Sequence, residues 1–309
     1  MSRDALAYCL LPTAYCLLPA ADRLTLAERI PSGIVAGAMD LEKEYNNRAR
    51  VPGYQAVIDR WGCDAAAFRA GMGGELDLPY GEHRLQTCDI FHTKDDAGGR
   101  IALFIHGGYW RSLDKSQFSH VARGLQLHGV TVAIPNYRLC PEVTLDDIID
   151  DVTTFAIWLR QRTGRGVVAS GHSAGAHLAA CLTATDWTAH DLPEDFVAAG
   201  LGASGIYDLR PLLPTEVNGT LGLDEAQARA VSPVTWPVPE ERRFVTFVGA
   251  EESREFRRQS ETLAAVWTGG GAPTSYAELA GVNHFTMVDQ LAAPGSAVTN
   301  SLVELCRLP

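Results

Sequence analysis

Residues 167–178 read Val-Val-Ala-Ser-Gly-His-Ser-Ala-Gly-Ala-His-Leu, and this stretch decides the fold. An apolar run ends in Gly171-His172-Ser173-Ala174-Gly175, a G-x-S-x-G pattern, and a helical pattern from Ala174 to about Thr185 follows at once. A serine between such a strand and such a helix sits on a tight, strained turn that aims its hydroxyl outward, and glycines on either side let strand and helix approach closely. That context marks Ser173 as a candidate nucleophile.

The alternation continues in both directions. Upstream lie short strand candidates around 75–80 and 85–92, then Ile101–Ile105, a helical pattern from Gln117 to His128 closed by Gly129, the run Val130–Ile134, and a long amphipathic stretch from Leu145 to Arg162. Downstream, Val197–Leu201, Phe244–Val248 and Ser275–Leu279 read as strands separated by segments long enough to hold helices. Leu41–Trp61 has a helical period interrupted at Pro52-Gly53. Buried strands alternating with helices predict an α/β fold with a mostly parallel sheet flanked by helices, and in such sheets the ligand site lies at the carboxyl ends of the strands.

Composition narrows the function classes. The chain of 309 residues is 46% hydrophobic and 20% charged, the profile of a globular protein. Its 26 Lys plus Arg against 37 Asp plus Glu give a net charge of −11, with no basic run, which argues against a nucleic-acid partner. The seven cysteines show no Cys-x-x-Cys pair and no framework spacing; a reducing, cytoplasmic compartment is expected. No His-Glu-x-x-His or clustered ligand set occurs, so neither a metal nor another cofactor is expected.

Residues 1–38 differ from the rest. Ala-Tyr-Cys-Leu-Leu-Pro occurs at 7–12 and again at 14–19. Pro12 and Pro19 argue against a membrane-spanning helix. Arg3 before an apolar stretch, with Pro19-Ala20-Ala21 after it, allows an export signal as the alternative to a cytoplasmic location. The preferred reading is an unstructured or non-native extension before a domain spanning 39–309, with Met39 as a candidate initiator.

A nucleophilic serine needs a base, an acid to orient that base, and donors for the oxyanion. His106-Gly107-Gly108-Tyr109-Trp110 ends the Ile101–Ile105 strand, where an oxyanion-hole loop belongs. The amides of Gly107 and Gly108, completed by that of Ala174, are the expected donors, each typically worth about 2.7–4 kcal/mol in the transition state. His106 is read as structural. In sheets carrying such an elbow the partners follow as serine, acid, histidine, and His284 is the only histidine beyond His190. The loop after Phe244–Val248 offers two acids, Glu251 and Glu252, which spacing does not separate; Asp208, after the Val197–Leu201 strand, and Asp289 are the outside candidates. Tyr109, Trp110, Tyr207 and Phe285 lie near these motifs and are candidate pocket residues.

From about Met39 onward the chain resembles the kynurenine formamidase (arylformamidase) branch of the α/β-hydrolases, close to the hormone-sensitive-lipase-like esterases. The resemblance rests on Tyr45-Asn46-Asn47-Arg48-Ala49, His106 to Trp110 with Asp114-Lys115, Pro135-Asn136-Tyr137-Arg138-Leu139 and Gly171 to Leu178. It continues through Ser204 to Leu212, Glu252 to Ser260, and Asn283-His284-Phe285. In that family an acidic residue immediately precedes the Ser-x-Glu-Phe segment, which favours Glu252 over Glu251. The resemblance implies a cofactor-independent serine hydrolase with Ser173, His284 and Glu252 as its triad. Its implied substrate is an N-formyl arylamine, N-formyl-kynurenine foremost, cleaved to formate and the free amine. A short-chain carboxylesterase with the same triad is the nearest alternative, because fold and triad do not set the acyl group. A non-catalytic interaction module is a third. The expected partner is a small-molecule substrate, with no membrane; oligomeric state stays open, a homodimer included.

Overall fold

A computed structural model describes residues 39–96 and 98–309. The extension expected over 1–38, and the export-signal alternative with it, lie outside the described residues. Among the described residues eight strands form one sheet: β1 (Glu75–Pro79), β2 (Thr87–Phe91), β3 (Ile101–Ile105), β4 (Val132–Pro135), β5 (Val167–His172), β6 (Val197–Ala203), β7 (Arg243–Gly249) and β8 (Thr274–Leu279). Their spatial order is β1-β2-β4-β3-β5-β6-β7-β8. β2 runs antiparallel to both β1 and β4, and every other neighbouring pair is parallel. The mostly parallel sheet flanked by helices is therefore as the sequence predicts.

Five helices of ten or more residues occur among the described residues: α1 (Tyr54–Met72), α2 (Leu145–Thr163), α3 (Ala174–Ala184), α4 (Arg254–Gly269) and α5 (Ala297–Cys306). Local chemistry marks their ends. Thr144 and Asp147 form a reciprocal capping box at the start of α2, and Gly164 closes it in the left-handed conformation. Ser253 caps α4, its side chain accepting the Phe256 N–H.

The strand period of two divides the core. Ile101, Leu103 and Ile105 of β3 join Ile148, Val152 and Phe155 of α2 on one face. Ala102 and Phe104 join Phe68 of α1 and Leu302 of α5 on the other. Every residue of β3, β4 and β5 is buried, which explains their unbroken apolar runs. Full burial of each Val, Ile, Leu or Phe side chain stabilises by about 1.5–3 kcal/mol, so the central strands hold the frame firmly.

Two element boundaries differ from expectation. The single helix expected over Gln117–His128 is instead two 3-10 turns, Lys115–Gln117 and Ser119–Val121, with α-helix only at Ala122–Gln126. The Lys115 N–H donates to Asn136 Oδ1 and its ammonium pairs with buried Asp89, so side-chain bonds capture the backbone before an α-turn can propagate. The N-terminal helical pattern breaks at Pro52-Gly53 as expected, but the part after it runs on past Trp61 to Met72.

Candidate active site

Ser173 follows β5 directly and has φ +58°, a left-handed conformation that a serine adopts only under constraint. The constraint is visible at Gly175, where a Cβ would lie 2.0 Å from the Ile105 carbonyl oxygen of β3. Only glycine lets the first turn of α3 sit so close to the sheet.

Two further strand ends converge on this serine. His284, in the loop after β8, has Nε2 3.1 Å from Ser173 Oγ. Its Nδ1 lies 2.7 Å from Glu252 Oε2, in the loop after β7. Glu252 is held in turn by its other oxygen, which accepts from Ser204 Oγ at 2.5 Å and from the Gly249 N–H at 2.8 Å. The His284 loop is a side-chain-locked turn: Asn283 Oδ1 accepts the Phe285 and Thr286 N–H groups, while Thr286 Oγ1 accepts the Asn283 N–H. His172 adds a second brace, its Nε2 donating to the His284 carbonyl oxygen at 2.8 Å. Burial, and then the neighbouring His284, push the His172 imidazole well below its ordinary range, which keeps it a neutral donor there. Ser173, Glu252 and His284 are all buried, so these polar contacts act in a low-dielectric setting.

The two acids that spacing left open occupy different places. Glu252 reaches the imidazole, whereas Glu251 is exposed to solvent. Asp208 is engaged elsewhere, in an ion pair with Arg210 at 2.8 Å.

The loop after β3 brings its glycines to the serine. A Cβ on Gly107 would lie 2.9 Å from the His172 carbonyl oxygen and 3.0 Å from Ser173 Cβ, so this backbone packs directly against the elbow. The N–H groups of Gly107, Gly108 and Ala174 find no backbone acceptor among the described residues. His106 supports the loop from inside: its ring stacks between Tyr137 and Phe118, with centroids at 4.5 and 5.7 Å, and its Nδ1 bonds the Gly107 carbonyl at 2.8 Å. Asp114, Lys115, Asn136 and Tyr137 complete the scaffold. Asn136 donates to Asp114, and Tyr137 donates to the His106 carbonyl at 2.9 Å.

A cavity of about 260 Å³ opens onto Ser173 and His284. Of the four aromatic pocket candidates, Tyr109 and Phe285 line it. Trp110 and Tyr207 do not, which corrects that expectation. Trp110 is fully buried edge-on to His177, and Tyr207 is fully buried beneath Gly202 and Gly205 and against Phe244, so both fill the core under the loops. The remaining wall comes from residues to which sequence reasoning assigned no role: Tyr45, Asn47 and Arg48 before α1, Trp61 within it, and Arg111 paired with Glu216 at 2.8 Å. Tyr45 fastens this N-terminal wall to α4. Its hydroxyl donates to Glu255 and accepts from Gln259, both at 2.8 Å, while its carbonyl accepts from Tyr109 at 2.5 Å. The Tyr45–Ala49 stretch was visible as part of the resemblance, but nothing in one sequence brings it next to Ser173.

The strand order, the strained elbow and the serine–imidazole–carboxylate chain define a serine hydrolase of the α/β-hydrolase fold. The family model BD-FAE matches residues 88–201. The chain is 31% identical over 238 residues to the kynurenine formamidase of Danio rerio, a match covering 74% of this chain and 81% of that protein. It is 29% identical over 237 residues to Esterase LipQ of Mycobacterium tuberculosis, covering 67% of this chain and 56% of that one. A crystal structure from Silicibacter sp. TM1040, provisionally described as a thioesterase, superposes with a TM-score of 0.77 at 30% identity, covering 88% of this chain and all of that one. The chain belongs to the kynurenine formamidase family.

Proposed function

We propose that the protein hydrolyses an N-formyl arylamine, N-formyl-kynurenine foremost, with Ser173, His284 and Glu252 as its catalytic residues. Ser173 Oγ attacks the formyl carbon while His284 Nε2 takes its proton. Glu252 holds the imidazole in the tautomer that carries its proton on Nδ1 and stabilises the imidazolium that forms. The amides of Gly107, Gly108 and Ala174 donate to the alkoxide of the tetrahedral intermediate. His284 then returns the proton to the departing nitrogen, the arylamine leaves, and a formyl ester remains on Ser173. Water, deprotonated by His284, attacks that ester and releases formate and the free serine.

The observation that carries this reading is the shape of the site. The Gly107 backbone packs against the serine turn, and the cavity that opens onto Ser173 has Tyr45, Trp61, Tyr109 and Phe285 in its walls. Aromatic walls suit an aromatic leaving group, and a formyl group, the smallest acyl group, needs little room beside them. The higher identity and coverage of the formamidase match support the same reading over an esterase. The experiment is a comparison of kcat/KM for N-formyl-kynurenine and p-nitrophenyl acetate. Preference for the formamide is expected; efficient ester turnover with negligible formamide cleavage would replace this reading with a carboxylesterase. Among the described residues no helix is long and apolar enough to cross a membrane; the scattered cysteines, without framework spacing, support a cytoplasmic location.

A further inference from the structure

Neighbouring asparagines in the N-terminal wall are treated differently by the fold. Asn46 is fully employed: its Oδ1 accepts the Ala49 N–H at 3.0 Å, capping the turn Asn47–Arg50, and its Nδ2 donates to Glu42. Asn47 is 4% exposed, and neither its Nδ2 nor its Oδ1 has a hydrogen-bond partner among the described residues. A buried carboxamide with no partner is costly, and native structures retain such groups where something else satisfies them. Asn47 lines the same cavity as Ser173. Trp61, in the wall beside it, is also buried and lacks a partner for its indole N–H among the described residues. The segment that carries Asn47 is anchored, because Tyr45 ties it to α4 and to Tyr109. Arg48 brings a cation to the same cavity, its guanidinium 5.8 Å over the Tyr54 ring.

We propose that Asn47 is a positioning and specificity residue whose carboxamide hydrogen-bonds the polar leaving-group side of the substrate, selecting aryl formamides with an amino-acid tail over plain ones. Resting on the formamidase reading above, this inference adds what distinguishes one formamide from another. A polar group built to be satisfied by substrate rejects an analogue that leaves it unpaired. Its carboxamide offers both donor and acceptor, and the Arg48 charge suits a carboxylate at the outer end.

The test measures kcat and KM of wild type and Asn47→Leu on N-formyl-kynurenine and on formanilide, which shares the formamide and ring but lacks the polar tail. The ratio of the two efficiencies should fall about tenfold or more in the variant, through a raised KM for N-formyl-kynurenine with kcat changed far less. If Asn47→Leu does not fold, Asn47→Ser carries the same readout. Equal losses on both substrates would reduce Asn47 to a structural role and overturn the inference, as would an unchanged ratio. A wild type that cleaves phenyl acetate but neither formamide would overturn the formamidase reading and this inference together, whereas active wild type with an unchanged ratio overturns this inference alone.

Discussion

At the strand ends, Ser173, His284 and Glu252 form a continuous chain of hydrogen bonds, and the groups behind them (Ser204, Gly249, Asn283, Thr286, His172) are paired as well. In the outer wall, formed by residues before and within α1, Asn47 and the Trp61 indole are buried without partners among the described residues, while Arg48 brings charge to the cavity. The two regions face each other across one cavity and are more than a hundred residues apart in sequence. The contrast teaches that the serine, the imidazole, the carboxylate and their immediate braces are paired to one another, and that a separately anchored segment presents unpartnered groups to the cavity. Reaction and selectivity should therefore break independently.

The largest effect is expected at the strand ends. Ser173→Ala should lower kcat by about 10³-fold or more with the fold retained, because the hydroxyl faces the cavity. Near-normal turnover by a folded variant would remove the serine mechanism. Next in size is the acid. Glu252→Gln should cost about 10²–10⁴-fold in kcat, since the amide cannot hold the imidazole tautomer or stabilise its charge. Glu251→Gln, on an exposed side chain, should stay within about twofold. The reverse ranking would transfer the acid role to Glu251, and equal mild losses would reopen Asp208.

A pH measurement sharpens the comparison from the side of stability. Burial pushes His120 and His177 down to about 4 from an ordinary value of 6.5. The unfolded chain then binds protons below about pH 6.5 that the folded chain refuses, so stability is complete above that pH and is lost as the pH falls toward 4. Each histidine contributes a slope of about 1.4 kcal/mol per pH unit in that window. The midpoint of thermal unfolding should drop accordingly, and His120→Gln should flatten the curve; an unaltered slope would contradict the assignment. The smallest effect is expected at the leader. A chain starting at Met39 should fold and keep full activity, checked by kcat/KM and thermal unfolding; loss of solubility would make residues 1–38 a structural arm instead.

The frame and its chemistry were legible because they rest on short-range signals. The apolar run of β3 and the G-x-S-x-G turn after β5 each fit within a few residues, the parallel sheet follows from the alternation, and His284 follows from chain order as the only histidine beyond His190. Glu251 and Glu252 could not be separated by spacing, because which of two adjacent loop residues turns inward depends on Ser204 and Gly249 supplying partners. Trp110 and Tyr207 were misjudged for a related reason: nearness to a motif along the chain does not say which side of the loop a ring faces, and both point into the core. Asn47 and Trp61 were not legible at all as site residues. Their signal is the absence of a partner in a buried place, which exists only once α1 is packed over the strand ends.

The central claim, formyl transfer at Ser173 with recognition on the leaving-group side, is tested most directly by lengthening the acyl group on one leaving group. Formyl, acetyl and butyryl derivatives of the same arylamine, and of p-nitrophenol, should show kcat/KM falling steeply at each step, because in a site that serves a formyl group each added methylene crowds the serine and the oxyanion donors rather than gaining the roughly 1–3 kcal/mol of a roomy apolar pocket. A rise from acetate to butyrate, with N-formyl-kynurenine hardly cleaved, would contradict it and leave an esterase built on the same three side chains.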